Sequence, residues 1–297
     1  MRHAILGAGG VGGLIGACLA KAGDPVTLVV RRETLGSFPD KLQLESSFGD
    51  FSVPVGLAPT VPVTDVLWIA VKATQLDSAL SSFPASASVR AIVPLLNGID
   101  HVARLRARFG SDRVIPATIA VESERISPGH IVHRSPFALL KISSRGRVLL
   151  QEPVAQLQQL GFKCQFMDDE QTLLWSKLVF LAPLALVSTV TGKTTGEIFS
   201  NPDSWQQLQD CVREACAVAR AEHAQVDPDA VIATIGALPP GMRSSMQKDV
   251  AQNRPPELDA IAGPVLRGAS HHGIDVPVTH KLTASIEERI SAARLPK

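Results

Sequence analysis

The chain has almost no charge imbalance. Lys and Arg number 29 against 28 Asp and Glu, a formal net charge of +1, so no strong one-sign field exists to draw nucleic acid or an anionic membrane. Cysteine is scarce: Cys18, Cys164, Cys211 and Cys216 show neither metal-type nor redox-type spacing, which reads as buried thiols in a reducing compartment. Long apolar runs are missing too. The longest, Leu178 to Val187, is interrupted by Pro183 and falls far short of the roughly 18 to 20 residues that span a bilayer. The first glycine already stands at position 7, so no secretory leader is expected and the chain reads as cytoplasmic. There are no internal repeats and no low-complexity segments. What remains is a partner of low charge, a small molecule.

What is present is a globular composition. Of 297 residues, 45% are hydrophobic and 19% charged, enough to build one large or two medium cores and to exclude disorder. Up to about residue 167 the pattern alternates β-rich runs with helical stretches, which predicts an α/β, mostly parallel sheet. The strands expected are "HAIL", "VTLVV", "VLWIAV", "AIVPLL", "VIPATIAV", "HIVH", "FALLKI" and "KCQFM". From Asp168 the character changes. The stretches "DDEQTLLWSKLVFLAPLALVSTV", "SWQQLQDCVREACAVARAEH" and "ELDAIAGPVLRGASHH" all read as helices, so residues 1–167 and 168–297 are expected as two domains, the second all-α.

"GAGGVGG" follows "RHAIL" directly and opens the helical stretch "VGGLIGACLAKAG", expected to be amphipathic. Gly7, Gly9 and Gly12 thereby form a G-x-G-x-x-G in strand-turn-helix context, the dinucleotide-binding signature. Gly7 permits the tight turn, Gly9 lets a pyrophosphate approach the backbone, and Gly12 packs helix on strand. The whole loop Gly7, Ala8, Gly9, Gly10, Val11, Gly12 is the expected phosphate cradle, with helix N–H groups as donors. The second strand ends in Arg31 and Arg32, where guanidiniums favour a 2′-phosphate and hence NADP(H). Glu33 leaves NAD open. Two more strands end in polar residues, Lys72 and Asn97-Gly98. Alone they read as a surface lysine and a turn. Ligands of doubly wound sheets lie beyond the strands' carboxyl ends, so Gly7, Arg31, Lys72 and Asn97 are expected to line one crevice.

In "LLWSKLVFLAPLAL" one ammonium, Lys177, stands in an apolar run. A charge in such surroundings is costly unless paired or exposed, and the simplest reading is a lysine that snorkels. "SSMQ" places Gln247 three residues after Ser244, a capping-box spacing, which makes Ser244 a cap and leaves Ser245 for a ligand. Glu257 follows Pro255-Pro256, where an acid suits a helix start. His271-His272 read as the end of a helix stopped by Gly273, and no metal site is expected.

Taken in order, "GAGGVGG", "VKATQ", "LLNGID", "LLWSKL", "TTGEI" and "SSMQKDV", with Glu257 twelve residues after Ser245, resemble the ketopantoate reductase family nearly end to end. The resemblance implies a Rossmann-type, doubly wound N-terminal domain, a helical C-terminal domain, and NADPH-dependent reduction of a 2-oxo acid in the cleft between them. It places the glycine loop, Arg31, Lys72 and Gln75 on the cofactor, Asn97 near both nicotinamide and substrate, Lys177 as proton donor, Ser245 on substrate, and Glu257 beside both ligands. One feature departs from the family. Members that use ketopantoate carry asparagines where this chain has Leu181, Ala185 and Thr195, so a bulkier or less hydroxylated 2-oxo acid is expected. Two other readings stay open: an NADP(H)-binding sensor without turnover, and an opine-type dehydrogenase joining a 2-oxo acid to an amine. The resemblance leaves monomer and homodimer equally open.

Overall fold

The computed structural model describes residues 1–84 and 87–294. The chain divides into two units, Met1–Leu96 with His101–Leu173, and Asn97–Asp100 with Leu174–Lys297. The break thus falls six residues later than the 167/168 boundary expected from sequence. The reason is local: Asp169 caps the first turn of the long helix, accepting from the Gln171 and Thr172 amides at 3.0 and 3.1 Å. Glu170 is held by Arg106 and Ser143, each at 2.7 Å, so that turn belongs to the first unit.

The first unit opens with β1 (His3–Leu6), α1 (Gly10–Lys21) and β2 (Val26–Val29), followed by β3 (Lys41–Ser46), β4 (Phe51–Pro54) and β5 (Gly56–Ala58). Then come β6 (Thr64–Ile69), α2 (Leu76–Leu80), β7 (Val89–Pro94) and α3 (Asp100–Phe109). It ends with β8 (Ala117–Ala120), β9 (Ser123–Ser127), β10 (His130–His133), β11 (Leu139–Ser143), α4 (Arg147–Gln159) and β12 (Lys163–Met167). Strands β5-β2-β1-β6-β7 make one five-stranded sheet, parallel at every pairing. Order reverses at β1, the switch point of a Rossmann-type sheet, and the carboxyl ends of β1, β2 and β6 share one edge.

The single mostly parallel sheet expected from the sequence is, in the structure, three sheets. Strands β4-β3-β10-β9 form a second and β12-β11-β8 a third, both of mixed direction. Helix α1 packs against the second sheet as well as the first, so Gly12 through Leu19 are all buried. It is therefore not the amphipathic surface helix the sequence suggested. Its small residues make both approaches possible: a Cβ on Gly13 would lie 2.4 Å from Ile131 of β10, and one on Gly12 would lie 2.9 Å from Ile5 of β1.

The second unit is helical throughout its elements. It takes most of α5 (Glu170–Thr191), then α6 (Thr195–Phe199), α7 (Pro202–Ala221), α8 (Pro228–Gly236), α9 (Ser245–Ala251), α10 (Leu258–His272) and α11 (Pro277–Arg294). Helix α5 is long and apolar enough to cross a membrane, but 72% of its apolar window is buried within the protein; it is a core helix. The starts obey local chemistry. Thr194 and Glu197 form a capping box, Asn201 and Asp227 cap helices with proline at the first position, and Ser244 caps α9 by accepting from the Gln247 amide. Gly273, left-handed at φ 65°, ends α10 after His271-His272.

Helix α7 runs through the middle of this unit and caps its neighbour. Both Glu214 carboxylate oxygens accept from the start of α11: Oε1 from the Val278 amide at 2.8 Å, Oε2 from the Thr279 amide and hydroxyl at 2.8 and 2.7 Å. Removing it orphans buried donors at a cost of about 2 kcal/mol. Glu214→Ala is therefore expected to lower the urea midpoint and to speed hydrogen exchange at the Val278 and Thr279 amides. Unchanged exchange there would contradict the capping role.

Candidate active site

In the first unit, the glycine loop links β1 to α1. Gly7 has φ +108°, and a Cβ there would lie 2.7 Å from the Ala70 backbone; a Cβ on Gly12 would lie 2.1 Å from the Gly7 carbonyl oxygen. The fold itself therefore requires glycine at both positions. Gly9 is different, because a Cβ there would meet nothing within 4 Å. No group among the described residues demands glycine at that point, which leaves the loop open on that side. Helix α1 has no side-chain cap and no acid in its first turn, so its first N–H groups and its positive dipole end are unspent.

Two basic residues stand at equivalent places beyond the two strands that flank β1. Arg31 follows β2 and Lys72 follows β6, each in extended backbone (φ −62°, ψ 145° and φ −64°, ψ 146°) leading into a short 3₁₀ turn. Arg31, Arg32 and Glu33 are exposed, Lys72 is half-buried, and Gln75 is exposed with its amide donating to the Lys72 carbonyl at 2.8 Å. Neither arginine forms an ion pair among the described residues. This is a positively charged rim suited to a nucleotide phosphate.

Asn97, expected with that group, is assigned by its contacts to the second unit. Gly98 explains the placement. At φ +81° it approaches α10 so closely that a Cβ would lie 2.2 Å from the Ala260 carbonyl oxygen, which brings Asn97 to the start of that helix. There the Asn97 amide donates through Nδ2 to Glu257 Oε2 at 3.0 Å and accepts through Oδ1 from Lys177 Nζ at 3.0 Å. One amide thus joins a cation to an anion with each end matched to its partner. Glu257 is 7% exposed and sits just before α10 without capping it; its carboxylate faces Asn97 instead. Burial pulls the Lys177 ammonium down to about 8 from the usual 10.5, with the Glu257 charge opposing the shift. Lys177 is not a snorkelling lysine.

The other residues expected near substrate divide. Ser245, first residue of α9, is exposed and makes no side-chain hydrogen bond among the described residues. Ser188, which the sequence reading passed over, holds this region to α5: its hydroxyl meets that of Ser244 at 2.8 Å. Leu181, one turn beyond Lys177, is half-buried, while Ala185 is 0% exposed and part of the helical core. Thr195 is also buried, its hydroxyl donating to the Pro239 carbonyl at 2.5 Å. Of the three positions, Leu181 alone presents surface, and that surface is apolar.

The glycines supply a direct test. Gly9→Ala should leave the unfolding free energy, measured by urea titration, within about 1 kcal/mol of wild type while weakening nucleotide binding. Gly12→Ala should lose stability by about 1–3 kcal/mol through backbone overlap. Equal loss of stability in both would show that Gly9 is structural.

Comparison with known proteins agrees along the whole chain. The family described as "Ketopantoate reductase PanE/ApbA" matches residues 3–145, and its C-terminal part matches residues 169–289. A 2-dehydropantoate 2-reductase of Caulobacter vibrioides is 29% identical, the match covering 95% of this chain and 96% of the relative. One of Mycobacterium tuberculosis is 30% identical, covering 94% of each. Among solved structures, the ketopantoate reductase of Ralstonia eutropha JMP134 superposes with a TM-score of 0.85 at 27% identity, over 99% of this chain and 100% of that one. A D-mandelate dehydrogenase solved with NADH and anilino(oxo)acetate shares the fold, with a TM-score of 0.87 at 19% identity over 99% of this chain and 100% of that one. The chain belongs to the ketopantoate reductase family, whose members are nicotinamide-dependent oxidoreductases.

Proposed function

We propose that this chain reduces a 2-oxo acid to a 2-hydroxy acid with NADPH, and that Lys177 delivers the proton. The observation that carries the reading is the Lys177–Asn97–Glu257 hydrogen-bond chain. The uncapped α1 start, the open face at Gly9 and the unpaired Arg31 support NADP(H), with the glycine loop, Lys72 and Gln75 holding it. When bound, the reduced nicotinamide supplies a hydride to the carbonyl carbon.

The residues of this chain handle the charge and the proton. As hydride arrives, negative charge gathers on the carbonyl oxygen, which must then be protonated. An ammonium near pH 8 is protonated at neutral pH yet gives up its proton readily, which suits a general acid. The chain contains no tyrosine, which removes the phenol as a rival donor. Glu257 keeps the buried ammonium charged before transfer, and Asn97 fixes where it points. After transfer the amine is neutral, the state its apolar surroundings favour. Ser245 offers a free hydroxyl for the substrate's carboxylate.

The substrate reading rests on Leu181, Ala185 and Thr195, the positions where ketopantoate-using relatives carry asparagine. A site that binds a hydroxyl needs a polar partner for it. Here Thr195 is committed to Pro239, Ala185 is in the core, and Leu181 is apolar. The reading therefore favours a 2-oxo acid with an apolar side chain. The telling pair is ketopantoate against 3,3-dimethyl-2-oxobutanoate, which differ by one hydroxyl. We expect kcat/KM to favour the hydroxyl-free acid by about tenfold or more, the equivalent of about 1.4 kcal/mol. A tenfold preference for ketopantoate would overturn this substrate assignment. Tight NADPH binding without turnover of any 2-oxo acid would favour the sensor, and turnover only with an added amine would favour an opine-type dehydrogenase.

The proton donor has its own signature. Lys177→Ala should lower kcat by about 10²–10⁴. Reductive kcat/KM should fall as pH rises through about 8, where Lys177 loses its proton. Glu257→Gln removes the charge that holds this value up, so the midpoint should move to lower pH. A midpoint that stays fixed in Glu257→Gln would mean another group sets it.

A further inference from the structure

Strand β9 contributes side chains to the glycine loop from more than a hundred residues away. The Ser123 hydroxyl donates to the Gly10 carbonyl at 3.0 Å, and Arg125 Nη1 donates to the Ala8 carbonyl at 3.2 Å. The strand backbone is just as close, since a Cβ on Gly10 would lie 2.0 Å from the Ser123 carbonyl oxygen. Gly10, outside the three-glycine motif, is thus glycine because β9 crosses there. Residues 123 and 125 share one face of a strand while 124 points away. Glu124 accordingly pairs with Arg134, at 3.3 Å, and leaves Arg125 without a carboxylate partner among the described ion pairs. An exposed guanidinium therefore rests on the loop with one donor used on Ala8. A guanidinium has five N–H donors in a planar fork that matches phosphate oxygens.

We infer that Arg125 is a cofactor-binding residue, a permanent positive charge that the edge strand β9 brings to the glycine loop to hold the dinucleotide's pyrophosphate. This rests on the NADPH reading above. Arg125 does two things at once: its bond to Ala8 fixes the loop, and its remaining donors meet the phosphates. Arg31 and Lys72 would then hold other parts of the cofactor, and β9 would act as part of the nucleotide site although it belongs to a different sheet.

The test compares two ligands in the full-length protein. NADPH contains the pyrophosphate; 2′-AMP keeps the adenosine and 2′-phosphate without it. Arg125→Met should raise the Kd for NADPH about tenfold or more and leave that for 2′-AMP unchanged. The salt dependence of NADPH binding should become shallower, because one phosphate-neutralising charge is gone. Arg125→Lys, which keeps the charge and loses the fork, should fall between the two. An unchanged NADPH Kd in Arg125→Met would overturn the proposal. So would an equal loss for both ligands, which would assign Arg125 a purely structural part in the loop. Absence of NADPH binding by the wild-type protein would overturn the dinucleotide reading itself, and this inference with it.

Discussion

A cation among apolar side chains must be compensated, and the second unit is arranged around compensating one. Lys177 lies on α5, between the buried Trp175 and Leu178, where an isolated ammonium would be expensive. Its hydrogen-bond partner Asn97 comes from a four-residue segment far away in sequence, and its counter-charge Glu257 from the start of α10. To bring these groups together the chain must carry Asn97 against α10, which Gly98 allows by having no side chain. Arg267 of α10 adds two exposed pairs, one with Asp100 on that same segment and one with Asp259 at 2.7 Å. Local backbone freedom, a close approach and an ion pair all serve the placement of one amide.

The first unit answers a different constraint, the need for bare backbone at a helix start. Its glycines do not act alike. Gly7 is demanded by the backbone that follows β6, Gly12 by the turn and strand it packs on, those at 10 and 13 by the second sheet, and the one at 9 by no group among the described residues. A glycine-rich stretch that a motif treats as one object is thus a superposition of packing requirements with a single position, Gly9, that no neighbouring group fills.

Much of this was legible beforehand because it is local. Strand, glycine turn and helix occupy consecutive residues, and the capping role of Ser244 and the stop at Gly273 each need only a few positions. Strands β3 and β9 were missed for opposite reasons. In β3 the buried Leu42 and Leu44 alternate with polar residues, a period-two pattern that was present but unread. In β9 no residue is buried, so an edge strand left no apolar stripe to find. The consequences were larger than one element: without β9 the roles of Gly10, Ser123 and Arg125 are invisible. The Asn97–Glu257 bond spans 160 residues, a pairing that no periodicity encodes. Ala185 shows the limit on the chemical side. Its spacing from Lys177 places it on the same helix face, yet it is sealed in the core, because a helix packed on several sides has less free face than its periodicity suggests.

The central claim is that the fold holds Lys177 as an ammonium poised to release its proton near neutral pH. Lysine side chains labelled with ¹³C at Cε report each ammonium's titration by NMR, and the Lys177 resonance can be assigned by its absence from Lys177→Met. The structure predicts a midpoint of about 8. A midpoint at the ordinary lysine value, above 10, would show an ammonium that is merely solvated or paired, and would contradict the account.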